Sequence, residues 1–321
     1  VVFENTLLTE SLKPGQALQD RLALTIGNVA TINYVRDLSG DQPRVIRGSI
    51  GVGLEDGEAV QRLDNGVTAN INLAQVNLDA WEKILGSATS TQPVGAVPPA
   101  PGTGAALAYL PTLMAVRAKE LTVQGRTLRN VVVGGSREGL NWRANIDANE
   151  LNGYVEFRQA DGTGGLGGGR VYARLARLSL APATANEVEA LLDEQPANIP
   201  ALDIVVEDFE LRGKRLGRVE IEAVNRNVNA AARDSAREWR LNKLNVTLPE
   251  AVLTASGNWA APRIADAAAL PVSGRSGAER RRTSMNFRLD VTDSGELLKR
   301  FGMADLIRRG KGRLEGQIGW A

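Results

Sequence analysis

Histidine and cysteine are both absent from this 321-residue chain. Without histidine there is no Ser-His-Asp or Cys-His arrangement, no ordinary neutral-pH proton shuttle, and none of the commonest metal ligand. Without cysteine there are no thiol nucleophiles, zinc knuckles, iron-sulfur ligation or disulfides, so redox compartment is left open. Aromatic residues make up only 4% of the chain. The formal net charge of +1 offers no global attraction to nucleic acid or to an anionic membrane. No apolar run approaches the roughly 18 residues of a membrane-spanning helix, and the opening VVFENTLLTE has neither an initiator Met nor a signal-peptide pattern. The expectation is a soluble segment excerpted from a longer chain.

What is present is a hydrophobic content of 43%, 34 glycines and an alternation of apolar and polar residues with period two. It recurs in VTANINL (67–73), AVLTASGNW (251–259), SMNFRLDV (284–291), and near Leu22, Ile46, Trp142, Val171 and Leu314. About a dozen or more such strands predict a mainly β protein: a long, curved, single-sided antiparallel sheet of β-groove type with a few short helices. The helices are expected at 77–86, capped by Asn77 or Asp79, at 184–196, and at 293–310 with a break near Gly302.

Two modules are written twice. FELRGKRLGRVEIEA (209–223) overlays LTVQGRTLRNVVVGG (121–135), with Gly213 on Gly125, Leu211 on Val123, Leu216 on Leu128, Val219 on Val131 and Ile221 on Val133. Each copy runs on to a Trp-Arg pair, Trp142-Arg143 and Trp239-Arg240. The second repeat places Ile71 on Phe287, Leu73 on Leu289, Lys83 on Lys299 and Gly86 on Gly302. Repeated units of this kind stack into one continuous apolar surface. Residues 1–321 are therefore read as one repeat-built architecture, with sub-modules at 1–86, 109–182, 199–260 and 283–321. Flexible loops are expected at 87–108, 160–169, 225–238 and 261–282.

Chemistry-bearing constellations are few. GTGGLG (162–167) fits the dinucleotide pattern, but the following GGRVYARL alternates as a strand where that motif needs a helix. Asp203, Glu207, Asp208 and Glu210 contain a conceivable acid-base pair, yet alternation divides them between faces. The basic clusters Arg212 to Arg218, Arg280 to Arg282 and Arg308 to Lys311 lack the interleaved aromatics of a nucleic-acid platform. The apolar stripes fit either a closed sandwich core or an open channel. Small residues at Ala69, Ala144, Ala173, Ala251 and Ala255 favour a groove for something chain-like.

From IPALDIVVEDFELRGKRLGRVEIEA through EWRLNKLNVTLPEAVLTASGNW, FRLDVTDSGELLKRFG and GKGRLEGQIGW, the sequence resembles the AsmA-like proteins of Gram-negative envelopes, specifically their YhdP branch. The likeness is close over 199–320 and weaker but collinear over 22–157. It implies a longer protein anchored by an inner-membrane helix, crossing the periplasm as a curled sheet with an apolar groove that moves phospholipids toward the outer membrane.

The expected lining is Ile71, Leu73, Val131, Val133, Ile146, Leu211, Val219, Ile221, Leu253, Ala255, Phe287, Leu289 and Ile318, with Arg212, Lys214 and Arg215 at a headgroup edge. The expected partners are phospholipid acyl chains and other envelope proteins, with no nucleic acid, and with membrane contact only through parts of the protein outside this chain. Neither catalytic residue, metal nor cofactor is expected. The alternative is a β-sandwich adaptor that holds envelope partners and transports nothing.

Overall fold

A computed structural model describes residues 1–8, 17–55, 57–80, 107–123, 125–160, 169–180, 199–228, 236–260, 283–303 and 306–320. The chain divides into two compact units, 1–149 and 150–321. In both, the strands stand side by side in the order in which they occur in the chain.

The first unit holds β1 (Val2–Leu7), β2 (Gln19–Ile26), β3 (Ala30–Asp37), β4 (Arg44–Val52), β5 (Gly66–Asn77), β6 (Leu113–Val123), β7 (Arg126–Glu138) and β8 (Asn141–Asp147). The second holds β9 (Leu151–Arg158), β10 (Arg170–Leu180), β11 (Ala201–Leu211), β12 (Lys214–Val228), β13 (Ala236–Thr247), β14 (Ala251–Ala260), β15 (Thr283–Val291), helix α1 (Ser294–Arg300) and β16 (Gly312–Trp320).

The protein is mainly β, as its alternation predicts, but the sheet is mixed where an antiparallel one was expected. The pairs β4–β5, β5–β6 and β10–β11 run parallel. Each is joined by a long connection, the shortest being 53–65, and such a connection can return the chain to the same end of the sheet, as a hairpin cannot.

The repeats read from the sequence are structural repeats. Gly213 and Gly125 both turn tight hairpins with positive φ, +72° and +71°. With Arg212 also left-handed at +52°, the β11–β12 turn matches the right-handed twist of its strands. The overlaid Val131 and Val219 are 1% and 4% exposed, each at the centre of a buried cluster.

The second repeat conserves a cap. Asn77 Oδ1 accepts from the Ala80 amide at 2.9 Å, and at the equivalent position Asp293 Oδ1 accepts from Gly295 and Glu296 at 3.0 and 3.2 Å. Each side chain satisfies amides that a helix start leaves without an internal partner.

The helix expected over 77–86 begins at Leu78, and its remainder from 81 lies outside the described residues, as do the helix at 184–196 and the GTGGLG stretch. The helix expected over 293–310 stops earlier. α1 ends at Arg300 with Phe301 as its C-cap, Gly302 takes φ +86°, and 306–310 is not helical. The chain folds back instead, so that the Ser294 amide donates to the Gly310 carbonyl at 2.7 Å, which leaves Leu306 and Ile307 exposed. The expected loops at 87–108 and 261–282 fall almost wholly outside the described residues. Of the loop expected at 225–238, residues 225–228 belong to β12 and 236–238 to β13, and the remainder lies outside the described residues.

Candidate functional site: the apolar face

Strand register sets the side chains of the second unit into rows that cross all eight strands. One row is Val155, Ala173, Ile204, Ile221, Leu244, Ala255, Phe287 and Gly316. Two residues along lies Gly153, Leu175, Val206, Val219, Val246, Leu253, Leu289 and Leu314. Two residues the other way, or three in β13, where a bulge between Leu241 and Leu244 adds a residue, lies Phe157, Val171, Leu202, Ala223, Leu241, Gly257, Met285 and Ile318. Because side chains alternate across a strand, all three rows share one face.

The interleaved row, Tyr154, Arg174, Val205, Glu220, Asn245, Thr254, Arg288 and Glu315, lies on the other face and is almost wholly polar. The first unit has the same two-sidedness. Its apolar rows are Phe3, Leu24, Ile32, Ile50, Ala69, Met114, Gly135 and Ala144, then Ile26, Ala30, Val52, Ile71, Val116, Val133 and Ile146. Leu73, Ala118 and Val131 continue it.

Twelve of the thirteen lining candidates therefore fall in the apolar rows of their own unit, and the thirteenth, Leu211, lies at the end of β11 opposite Leu180 and Lys214. Their accessibility differs. Val131 and Val219 are sealed beneath neighbours, Leu211 and Ile318 are exposed at 36% and 46%, and the remainder keep intermediate exposure. Among the described residues the largest side chains with under 2% exposure are three valines, Val67, Val131 and Val206. A filled sandwich of this size would instead bury many leucines and aromatic rings completely. Glycine lets large side chains lie flat on the face: a Cβ on Gly316 would stand 2.8 Å from Phe287 Cζ, and one on Gly48 would stand 2.5 Å from Tyr34 Cδ1.

The polar face of the second unit is neutralised by ion pairs within and between its strands. Arg174 meets Asp203 at 2.7 Å, Arg218 meets Glu220 at 2.8 Å, Lys243 pairs with the same Glu220, and Arg288 and Arg313 meet Asp290 at 2.7 and 2.6 Å. The Lys243 hydrogen bond, with Arg218 beside it, holds the Glu220 carboxyl below its ordinary value, and Arg313 and Arg288 do the same for Asp290. Of the conceivable acid-base residues, Asp203 faces Arg174 and Arg170, and Glu207 faces Arg218 at 3.5 Å.

Of the three edge candidates, Arg212 and Arg215 are exposed and Lys214 is half-buried. Arg212 sits in the β11–β12 turn, where its amide donates to the Leu180 carbonyl at 2.8 Å, and the Arg215 carbonyl accepts from Arg300 Nη1 at 3.1 Å.

Sequence reasoning missed a pair of polar clips at the ends of these faces. Arg137 is 9% exposed, without a carboxylate partner among the described residues, and donates to the carbonyls of Pro111, Gly139, Leu107 and Leu110 at 2.7–3.1 Å. Burial lowers its pKa, and its guanidinium stands 5.6 Å from the ring centroid of Trp142, directly opposite in register. At the repeat-equivalent position Asn225, 6% exposed, donates to the Ile199 carbonyl at 3.0 Å and stands opposite Trp239. The Trp239 indole donates to the Pro200 carbonyl at 3.0 Å. The duplicated Trp was the only signal for this device in the sequence.

Beside Arg137, residues 107–110 lie over one end of the first unit's apolar face. Ala108 and Tyr109 pack on Tyr34, Val45 and Val67, and the rings of Tyr34 and Tyr109 meet edge to face at 5.2 Å. Arg36 forks onto Asp20, which is 2% exposed, and reaches the Tyr109 hydroxyl at 3.4 Å.

Among the described residues, no helix is long and apolar enough to cross a membrane. Residues 4–321 match the model of one protein family, described as YhdP protein. No curated protein and no solved structure matches the chain.

Proposed function

Because the chain belongs to the YhdP family, we propose that its apolar sheet face carries phospholipid acyl chains between the inner and outer membranes of a Gram-negative envelope. On this reading it is a periplasmic part of an inner-membrane-anchored protein.

One observation carries the reading. In the second unit three apolar rows cross eight strands without a charged side chain, and most of their members keep part of their surface accessible. Burying each methylene of an acyl chain against such a face is favourable by about 0.8 kcal/mol. No directional bond holds the chain in place, so sliding from row to row breaks nothing of fixed geometry. The ion pairs on the opposite face keep that side hydrated and unattractive to lipid tails.

The test is a photo-crosslinking amino acid at Ile221, Leu253 or Phe287 in the full-length protein, with Thr254 and Arg288 as controls on the polar face. Phospholipid recovered from the first three and not from the controls supports the conduit. Lipid recovered elsewhere in the protein but from none of the three removes this face from the path.

A further inference from the structure

The first unit carries a depression of about 300 Å³ on its polar face, opposite the apolar rows, around which three arginines gather. Arg21 on β2 and Arg47 on β4 flank Val35 in register, so both side chains rise from the same face two strands apart. Arg62 comes from the connection between β4 and β5, which lies over this face. That connection is seated by Leu54 and Val60 on Gly51, where a Cβ would come within 2.9 and 3.1 Å of their methyl groups. Asn33 and the 8%-exposed Ser49 line the same depression, and Asp64 is its one carboxylate.

The contrast with the second unit is informative. There Arg174, Arg218, Arg288 and Arg313 each meet a carboxylate, on a neighbouring strand or their own, whereas Arg21, Arg47 and Arg62 make no ion pair among the described residues. Three guanidinium groups against one carboxylate leave an excess of two positive charges over a concave site that also offers a hydroxyl and a carboxamide as neutral hydrogen-bonding groups. Guanidinium forks match the oxygens of a phosphate, whose charge of about −1.5 to −2 as a monoester balances that excess.

We propose that this depression binds a phosphate-bearing ligand. The site is independent of the proposed lipid path, since its arginines lie on the other face of the sheet and none of the residues named in the apolar rows lines it. Two sources share the chemistry, a soluble phosphate ester and the headgroup of a phospholipid, and the probes below separate them.

The experiment measures binding of inorganic phosphate, glycerol 3-phosphate and a short-chain phosphatidic acid below its micellar concentration to the whole 321-residue chain by calorimetry. It compares the unaltered protein with Arg47→Gln, Arg62→Gln, the double variant, and Arg288→Gln as a control on the neutralised face. The expected result is saturable binding that weakens as salt is raised, falls about tenfold or more in the double variant, and is unchanged in Arg288→Gln. Glycerol 3-phosphate equal to or tighter than phosphatidic acid identifies a soluble ligand, and the reverse order identifies a headgroup. Either order supports the site provided the double variant loses it. No saturable binding by any probe, or binding that survives in the double variant while its unfolding profile is intact, overturns the proposal.

Discussion

The Glu250 carboxylate, in the turn between β13 and β14, receives both arms of the Arg300 guanidinium from α1, with Nη2 to Oε2 at 3.0 Å. The Glu250 side chain is 6% exposed, and its backbone carbonyl accepts from Thr292 and Asp293. A single residue thus ties the turn to the start and end of the helical segment 42 to 50 positions further along the chain. The Arg300 hydrogen bond, acting against burial, holds the Glu250 carboxyl below its ordinary 4.5.

Glu250→Gln is therefore expected to destabilise the protein by about 2 kcal/mol at neutral pH, the scale of a hydrogen bond to a charged group. A carboxyl whose folded pKa is depressed stabilises the fold above its unfolded value and loses that contribution as pH falls through the folded one. Thermal unfolding of both proteins should show a gap that is full at neutral pH and closes in acid below about 4.5. A gap that stays constant with pH would show that the charge is not its source.

Gly213 and Gly217 both take positive φ, yet they should respond differently to alanine. Nothing stands within 4 Å of a Cβ on Gly213, so Gly213→Ala costs only the left-handed strain, about 1 kcal/mol. A Cβ on Gly217 would lie 2.4 Å from the Thr247 carbonyl oxygen, so that variant adds a backbone clash and should cost at least about twice as much. Denaturant midpoints of the two variants check the ranking, and equal values would refute the clash.

Asp293→Ala removes the acceptor for two amides at the start of α1 and should cost about 1 kcal/mol, whereas Asp293→Asn keeps an acceptor and should stay within about 0.5 kcal/mol of the original. Hydrogen exchange at Glu296 reads the cap directly. Faster exchange in both variants alike would mean that the carboxylate's charge, not its geometry, matters.

A charge placed on the apolar face should block lipid without unfolding the sheet. Leu253 keeps intermediate exposure, so Leu253→Lys can turn its ammonium to water. In the full-length protein it is expected to lower lipid crosslinking at Phe287 by about tenfold, because a charge in an apolar path costs more than about 1.4 kcal/mol. Thr254→Lys, one residue on and on the opposite face, should leave the yield unchanged.

Several of these features were legible before any coordinates. Alternation assigned Leu253, Ala255, Phe287 and Leu289 to one face because the two-residue period of a strand leaves no choice. The repeat overlay sets Gly213 on Gly125, and the spacing offers Asn77 or Asp79 as a helix cap, because turns and helix starts depend on a few adjacent residues. The parallel pairings were not legible, since they depend on where a connection of 13 residues or more delivers the chain. The burial of Arg137 was not legible either, since the four carbonyls that hold it come from segments 2 to 30 positions away.

The sequence by itself determined a protein of many strands with one apolar and one polar side, built from duplicated hairpins and capped helix starts. All of these follow from local spacing and backbone preference. Only the tertiary structure decided which strands are neighbours, because register and strand direction arise from long-range pairing. That pairing aligned the apolar residues of eight strands into continuous rows, sealed Val131 and Val219 beneath their neighbours, and left Arg21, Arg47 and Arg62 together around one depression.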